Sequence, residues 1–190
     1  MLNQKKVFEV LASYGVSFFS GVPDSYLNGF CNYALANCGD LNVITANEGN
    51  AVALASGYYF ATKKIPLVYM QNSGEGNAIN PLASLVDKAV YAVPMILLIG
   101  WRGQGNSEPN HPQHQRQGEI TTGLMELLHI PFTVLSDSDK EFAATVEKAV
   151  SYCKKNRAPY AFIAPKGVMA DLNKPNNVDD VYPMSREKAI

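Results

Sequence analysis

"VPMILLIGW", residues 93–101, is the most apolar run of the sequence. An apolar run that does not alternate with polar residues is typical of a strand buried on both faces of a parallel sheet. Along the whole chain, strand-like runs alternate with helix-like segments, which is the order of elements in parallel α/β proteins. We therefore predict an open, mostly parallel, twisted sheet of about six strands with helices on both faces, and residues 93–101 at its centre.

The other elements follow from apolar periodicity and from turn residues between the periodic segments. We expect the remaining strands at 17–22, 41–46, 66–71, 132–135 and 159–165, and helices at 3–14, 24–38, 48–62, 78–91, 119–129 and 138–156. Residues 102–118 have no periodicity and are rich in Gly, Pro, Asn, Gln and His, which predicts a long functional or disordered loop. Residues 1–170 are expected to form one domain, and residues 171–190 a linker that starts a further helix.

Composition excludes several classes of function. The formal net charge is -1, from 16 Lys+Arg against 17 Asp+Glu, so no basic footprint for nucleic acid or an anionic membrane is present. The first residues lack the apolar segment of a signal peptide, and no apolar run is long enough to span a bilayer. The 3 cysteines form no CxxC pair and are expected to be packing residues. We expect a cytoplasmic protein.

Four polar turns follow four of the predicted strands: "GVPDS", "NEGN", "QNSGEGN" and "WRGQG". In open parallel sheets the ligand crevice lies at the carboxyl ends of the strands, so these turns are expected to meet. Each turn also has a simpler explanation: Asp24 would serve as a helix cap, and Glu48 as a first-turn carboxylate that the helix dipole favours. Their co-occurrence at equivalent strand ends favours a functional site.

Glu48 stands at the head of "ANEGNAVALASGYYFAT", residues 46–62, a helix rich in small residues. Those small residues are Ala51, Ala53, Ala55, Ser56 and Gly57. They allow close packing, so Glu48 is expected in a tight, water-poor place that suits a proton-sharing hydrogen bond with a nitrogen heterocycle.

Other ligand motifs are absent from the sequence. "GEGNAI" lacks the third glycine of a dinucleotide fingerprint, and no Walker A loop occurs. His111 and His114 lie three apart without an acidic or sulfur companion at helical spacing, so no metal site is predicted on this chain.

Five segments together resemble the N-terminal pyrimidine-binding domain of thiamine-diphosphate-dependent decarboxylases. They are "GVPDSYLNGF", "ANEGNAVALASGYYFAT", "VYMQNSGEGNAINPL", "PMILLIGWRG" and "HPQHQRQGEITTGLMELLHIPF". Within that group the chain is most similar to the phosphonopyruvate decarboxylases, and next to the alpha subunits of the sulfopyruvate decarboxylases. The resemblance extends roughly from Phe18 to Pro165 and implies a carboxy-lyase acting on a 2-oxo acid.

The resemblance also implies roles for residues. Glu48 would hydrogen-bond the aminopyrimidine ring nitrogen of thiamine diphosphate and promote its imino tautomer. Asp24 would assist proton transfer, and His114 would be an active-site histidine. The cofactor contacts would be completed by the glycine turn and the helix after it, through Asn72, Ser73, Gly74 and Asn77.

A phosphonate or sulfonate needs cations or several hydrogen-bond donors for its oxygens. The predicted loop 102–118 offers such groups, and Arg102, His111 and Gln117 are the candidate substrate-binding residues. Arg102 is the better placed arginine because it directly follows the presumed central strand. The alternatives are that Arg102 only orients the loop and that Arg116 lies in solvent.

One family motif is missing. The resemblance implies a Gly-Asp-Gly segment that binds Mg²⁺ and the cofactor diphosphate, but "CGD" at 38–40 lacks the second glycine. We therefore expect a C-terminal diphosphate-binding domain or a beta subunit to hold the metal, within a homo- or hetero-oligomer. The loop sequence favours 3-phosphonopyruvate as substrate, the chain length favours 3-sulfopyruvate, and a non-catalytic assembly module is the third hypothesis.

Overall fold

Six strands form one sheet in the computed structural model, which describes residues 1–106 and 112–172. They are β1 (Phe19–Gly21), β2 (Asn42–Ile44), β3 (Leu67–Gln71), β4 (Ile96–Gly100), β5 (Phe132–Val134) and β6 (Tyr160–Ala164). The strand order is β2-β1-β3-β4-β6-β5, and every neighbouring pair is parallel. All residues of β4 are buried, and it lies between β3 and β6. The predicted parallel sheet and its apolar central strand are confirmed.

Helices cover both faces of this sheet, as predicted. They are α1 (Gln4–Ser13), α2 (Asn28–Asn37), α3 (Glu48–Thr62), α4 (Glu75–Ala83), α5 (Pro112–Leu127) and α6 (Asp139–Asn156). Helices α1, α2 and α6 share one apolar core with the sheet, and α3, α4 and α5 share the other. The connections β1 to β2 and β5 to β6 cross the sheet in one direction and the other connections in the opposite direction. The usual right-handed crossover then places their helices on opposite faces.

Helix α4 differs from the predicted helix at 78–91. It spans Glu75–Ala83 and directly continues a 3-10 turn, Asn72–Gly74. Pro81 lies inside α4 and has no N–H to donate to the preceding turn, and the helix ends two residues later. The chain then turns, and the Asp87 side chain accepts a hydrogen bond from the Ala89 N–H at 2.8 Å.

Helix α5 also differs from the sequence prediction, because residues 112–118 are helical and do not belong to a loop. Pro112 occupies its first position, where a missing N–H costs nothing. The Trp101 Nε1–H donates to the Gly118 carbonyl at 2.8 Å and ties the early turns of α5 to the end of β4. His114 and Gln117 therefore lie on a helix.

The described helices and strands run from Gln4 to Ala164, and the bounds of the predicted domain, residues 1–170, stay a prediction. The predicted linker at 171–190 falls almost wholly outside the described residues, which end at Leu172, so it stays a prediction. Across the described parts of the chain, none of the helices combines the length and apolar character that a bilayer crossing requires.

Candidate active site

The polar turns meet at the carboxyl edge of the sheet. From β1 the chain passes to β2 on one side, while β3 lies on the other side of β1. Such a reversal of strand order opens the crevice in which parallel α/β proteins bind ligands. Asp24 follows β1, Glu48 follows β2, Asn72 follows β3 and Arg102 follows β4, so the four predicted turns reach this edge together.

Glu48 is the first residue of α3 and is only 7% exposed. The side chain of Asn47 caps the helix by accepting a hydrogen bond from the Asn50 N–H at 2.9 Å. Glu48 Oε2 accepts a hydrogen bond from Asn77 Nδ2 at 2.7 Å. Within residues 1–106 and 112–172 no donor reaches Oε1. Glu48 is thus a nearly buried carboxylate with one oxygen open to a ligand donor.

Gly74 forms the wall against which this carboxylate lies. A Cβ atom at Gly74 would stand 2.3 Å from Glu48 Oε1, so only glycine permits this approach. Ser73 is half-buried in the same turn, and Asn77 is exposed beside it. The structure therefore brings Gly74 and Asn77 directly to Glu48, and the contact of Ser73, Gly74 and Asn77 with a cofactor stays a prediction.

The packing of α3 agrees in part with the small-residue argument. Ala51 and Ala55 are 0% exposed and Ser56 is 1% exposed, and they face the sheet and α4. Ala53 and Gly57 are exposed and take no part in this packing. Three of the five small residues therefore pack closely, whereas Glu48 itself lies against Gly74.

Asp24 is held in two ways. It caps the 3-10 turn Ser25–Leu27 by accepting the Tyr26 N–H at 3.1 Å, so the predicted capping role is confirmed. Asp24 Oδ1 also pairs with Arg102 Nε at 3.1 Å, with the two side chains 1% and 15% exposed. A Cβ at Gly100 would come within 2.2 Å of Asp24 Oδ2, so this glycine makes room for the carboxylate.

Arg102 makes further contacts with the turn after β1. Its guanidinium donates to the Ser25 hydroxyl and lies over the Tyr26 ring at 4.4 Å from the centroid. A charged group stacked on an aromatic face and paired with a buried carboxylate is well ordered. The alternative that Arg102 orients its loop is therefore favoured by the geometry, and its contact with substrate stays a prediction.

Asn72 is 2% exposed and joins three segments. Its Nδ2 donates to the Arg102 carbonyl and to Thr121 Oγ1, each at 2.9 Å. Its Oδ1 accepts the Arg102 N–H at 3.3 Å. The side chain of Asn72 is thus used to hold the loop after β4 against α5, and its contact with a cofactor stays a prediction.

The remaining predicted residues lie on or near α5. His114 and Gln117 are half-buried, and the Gln117 carbonyl accepts the Thr121 hydroxyl at 2.7 Å. A Cβ at Gly103 would stand 2.0 Å from the His114 carbonyl, so the loop after β4 closes tightly on this helix. His111 lies outside the described residues, and its predicted role stays open.

Sequence reasoning missed Glu75, the first residue of α4, which is 2% exposed. Burial raises the pKa of Glu75 to about 8, and the nearby Thr121 hydroxyl acts weakly in the opposite direction. The signal was available: Glu75 is the one charged residue between Gln71 and Asp87. It was overlooked because the predicted helix began at residue 78, so Glu75 fell in a polar turn, where a charged side chain is usually exposed.

Comparison with known proteins identifies the family. Residues 3–124 match the family described as "Thiamine pyrophosphate enzyme, N-terminal TPP binding domain". The chain belongs to this family. The matched region contains Asp24, Glu48, Gly74, Asn77 and Arg102, so the whole described edge lies inside the thiamine pyrophosphate enzyme domain.

Individual relatives agree with this membership. Phosphonopyruvate decarboxylase of Streptomyces viridochromogenes is 32% identical over 171 residues, which are 90% of this chain and 42% of that protein. Sulfopyruvate decarboxylase subunit alpha of Methanocaldococcus jannaschii is 27% identical over 163 residues, 86% of this chain and 93% of that subunit. The chain thus spans less than half the length of the Streptomyces relative.

A solved structure shows the same fold. The thiamine diphosphate-dependent 4-hydroxybenzoylformate decarboxylase of Rhodococcus jostii RHA1 superposes with a TM-score of 0.65 at 21% sequence identity. The superposition covers 92% of this chain and 32% of that one. Thiamine pyrophosphate enzymes of larger size therefore contain a domain with this architecture.

Proposed function

We propose that this chain supplies the pyrimidine-binding half of a thiamine-diphosphate-dependent lyase that converts 3-phosphonopyruvate to phosphonoacetaldehyde and CO₂. The observation that carries the proposal is the nearly buried Glu48 carboxylate, held by Asn77 and Gly74 with Oε1 open. The Streptomyces phosphonopyruvate decarboxylase, at 32% identity, supports the choice of substrate.

The residues around Glu48 fit the pyrimidine end of the cofactor. Glu48 Oε1 would hydrogen-bond the ring nitrogen and hold the shared proton, because Oε2 is already occupied by Asn77. Gly74 would keep this carboxylate in place, because its missing side chain is what lets Glu48 lie there, and Ser73 and Asn72 belong to the same turn. When bound, thiamine diphosphate supplies the electron sink that loss of CO₂ from a 2-oxo acid needs.

The second part of the proposal concerns the substrate. Arg102 would contribute positive charge toward the phosphonate, with Asp24 fixing the guanidinium through the 3.1 Å pair. Asp24 and His114 are the proposed proton-transfer residues at this side of the crevice. His111 and Gln117 complete the proposed substrate contacts from the direction of α5.

Partners form the third part of the proposal. Mg²⁺ and the cofactor diphosphate would be bound by a C-terminal diphosphate-binding domain or a beta subunit, in a homo- or hetero-oligomer. The absence of a Gly-Asp-Gly motif and the 42% coverage of the Streptomyces relative support a second unit. A cytoplasmic location is supported by three free cysteines, Cys31, Cys38 and Cys153.

A second candidate substrate is 3-sulfopyruvate, which yields sulfoacetaldehyde. The match to the M. jannaschii alpha subunit extends over 93% of that subunit and favours it. A competition assay with both acids on the assembled enzyme decides, because the preferred substrate is the one with the larger kcat/KM. A non-catalytic assembly module, the remaining alternative, predicts no turnover of either acid.

The variant Glu48→Gln tests the proposal in the assembled enzyme. An amide cannot hold the shared proton, so turnover should fall about 10²–10⁴-fold while the thermal unfolding midpoint stays near that of the wild type. Glu9→Gln is the matched control, because Glu9 is exposed on α1 and far from this edge in the fold. Undiminished turnover of Glu48→Gln would remove Glu48 from the reaction.

A further inference from the structure

Glu75 is a carboxyl group without a hydrogen-bond donor. It is 2% exposed, and within residues 1–106 and 112–172 neither of its oxygens receives a hydrogen bond. An ionised carboxylate in such a place lacks compensation for its lost hydration, which is costly. A neutral acid carries an O–H donor and is far less costly to bury.

The Thr121 hydroxyl lies near enough to Glu75 to act on its pKa, although no hydrogen bond joins the two side chains in the structure. Thr121 has a single hydroxyl proton, and it is directed to the Gln117 carbonyl at 2.7 Å. The Thr121 oxygen also accepts the Asn72 amide at 2.9 Å. Because a hydroxyl oxygen has two acceptor positions, one position remains for the O–H of a protonated Glu75. An ionised Glu75 could gain a donor from Thr121 only if Thr121 abandoned the Gln117 carbonyl.

From Thr121 the hydrogen bonds continue to the edge of the sheet. Asn72 links Thr121 to both backbone groups of Arg102, at 2.9 and 3.3 Å. Arg102 Nε then pairs with Asp24 Oδ1 at 3.1 Å. A hydrogen bond from a protonated Glu75 to Thr121 would make the buried acid one end of a series whose other end is the Asp24–Arg102 pair.

Among residues 1–106 and 112–172, no charged neighbour raises or lowers the pKa of Glu75. Its pKa rises from 4.5 to about 8 through burial, and only the Thr121 hydroxyl acts against the rise. The charged groups on the described elements that surround it are Glu48 on α3, Arg102 after β4, and His114, Arg116, Glu119 and Glu126 on α5, and the titratable tyrosines are Tyr58 and Tyr59 on α3 and Tyr69 on β3. Glu48 is hydrogen-bonded to Asn77, Arg102 is paired with Asp24, and Arg116 is paired with Glu119 at 2.8 Å.

We propose that Glu75 acts as a protonated acid whose O–H bonds Thr121, and that this bond positions the Asn72–Arg102–Asp24 series at the carboxyl edge of the sheet. Glu75 is a positioning residue in this account and does not touch the reacting atoms. Ionisation of Glu75 withdraws its donor and places a charge against Thr121, so the series opens when Glu75 loses its proton. The proposal is independent of the reaction that the assembled enzyme performs.

Two measurements on the full chain test the proposal. Infrared spectroscopy should detect the carbonyl band of a protonated carboxylic acid at pH 7, and this band should be missing in Glu75→Gln. Hydrogen exchange should report the protection of residues 101–106, after correction for the intrinsic pH dependence of exchange. In the wild type this protection should fall about tenfold between pH 7 and pH 9.5, following a single titration.

Variants at position 75 separate the effect of the hydrogen-bond donor from the effect of side-chain volume. Glu75→Gln keeps a donor that does not titrate, so protection should stay high at both pH values. Glu75→Leu keeps the bulk without a donor, so protection should be low at both. Glu119→Gln, an exposed glutamate on α5, is the control and should behave as the wild type does.

Three results would overturn the proposal: no protonated-acid band at pH 7, the same pH-dependent loss in Glu75→Gln, or full protection in Glu75→Leu. The wild-type and Gln measurements decide the matter even if the Leu variant does not fold. The consequence for turnover, a decline above about pH 8 that Glu75→Gln lacks, rests on the proposed function. Because the exchange measurement involves no turnover, failure of the proposed function would leave the result standing.

Discussion

Two carboxylates at the same edge of the sheet, Glu48 and Asp24, are buried to a similar degree but differ in their hydrogen-bond partners. Glu48 is 7% exposed and Asp24 is 6% exposed. Glu48 receives one hydrogen bond, from Asn77, and keeps an open oxygen within the described structure. Asp24 receives the Tyr26 N–H and the Arg102 guanidinium, and Arg102 is in turn fixed by Asn72. Burial alone therefore does not identify the reactive carboxylate.

We call the first region, Glu48 with Gly74 and Asn77, the open site. We call the second region, Asp24, Arg102, Asn72 and Thr121, the closed network, and the proposal above adds Glu75 to it as a protonated acid. Polar groups that satisfy one another stabilise and rigidify a fold, whereas a buried group with unused capacity can bind a ligand. From this difference we infer that the open site is suited to bind the cofactor. The closed network is suited to keep the residues around the open site in fixed positions.

The largest expected effect comes from raising the pH on the closed network. Glu75 binds its proton more tightly in the folded chain, with a pKa near 8 against 4.5, so the unfolded chain loses the proton first as pH rises. The stabilisation is therefore complete below about pH 4.5 and disappears as pH approaches about 8. Relative to Glu75→Gln, the wild type should lose up to about 5 kcal/mol of unfolding free energy across this window.

Denaturant unfolding of both proteins at several pH values measures this difference. Glu119→Gln serves again as the control, since Glu119 is exposed and should give parallel curves. If the difference in unfolding free energy between the wild type and Glu75→Gln stayed constant across this pH window, Glu75 would not titrate there. That result would contradict a pH-dependent role of Glu75 in the closed network.

Removing the arginine should break the closed network with a smaller effect. Arg102→Ala leaves Asp24, with its side chain 1% exposed, without its counter-ion, and such an uncompensated charge costs about 3 kcal/mol. Arg116→Ala is the matched control, because its pair with Glu119 is 83% and 61% exposed and contributes about 0–0.5 kcal/mol. Equal losses in the two variants would show that the Asp24–Arg102 pair is no stronger than a surface pair.

Filling the open site should have the smallest effect on stability. Gly74→Ala puts a methyl group within 2.3 Å of Glu48 Oε1, so the carboxylate must move, at a cost of about 1–2 kcal/mol. Cofactor affinity of the assembled enzyme should fall with it, measured by calorimetry. Gly76→Ala, where a Cβ meets nothing within 4 Å, is the control and should keep wild-type affinity. Unchanged affinity in Gly74→Ala would separate Gly74 from the cofactor.

The fold follows from local patterns in the sequence. The apolar run at β4 and the alternation of elements suffice for a parallel sheet with two helical layers. Helix ends were harder: α4 spans Glu75–Ala83 where residues 78–91 were predicted, and the polar segment before Gly118 formed the first turns of α5 although it has no periodicity. Those turns are stabilised by a tertiary contact from Trp101, which no local window contains.

Only part of the site could be predicted from the sequence, because some of its contacts are tertiary and leave no local pattern. Glu48, Gly74 and Asn77 lie in turns directly after strands, so topology alone brings them together. Thr121 and Glu75 became part of the site only through packing of α5 on the turn after β3. A pairing between Asp24 and Arg102, 78 residues apart, likewise depends on the register of β1, β3 and β4.

The most direct test of the central claim is a binding cycle on Glu48. Calorimetry with the assembled enzyme and Mg²⁺ compares thiamine diphosphate with an analogue in which carbon replaces the pyrimidine ring nitrogen proposed to face Glu48. The wild type should bind the analogue about 10–100-fold more weakly, because a hydrogen bond to a charged group contributes about 1.5–3 kcal/mol. Glu48→Gln should discriminate far less between the two ligands. Equal discrimination by both proteins would contradict a contact between Glu48 and the ring nitrogen.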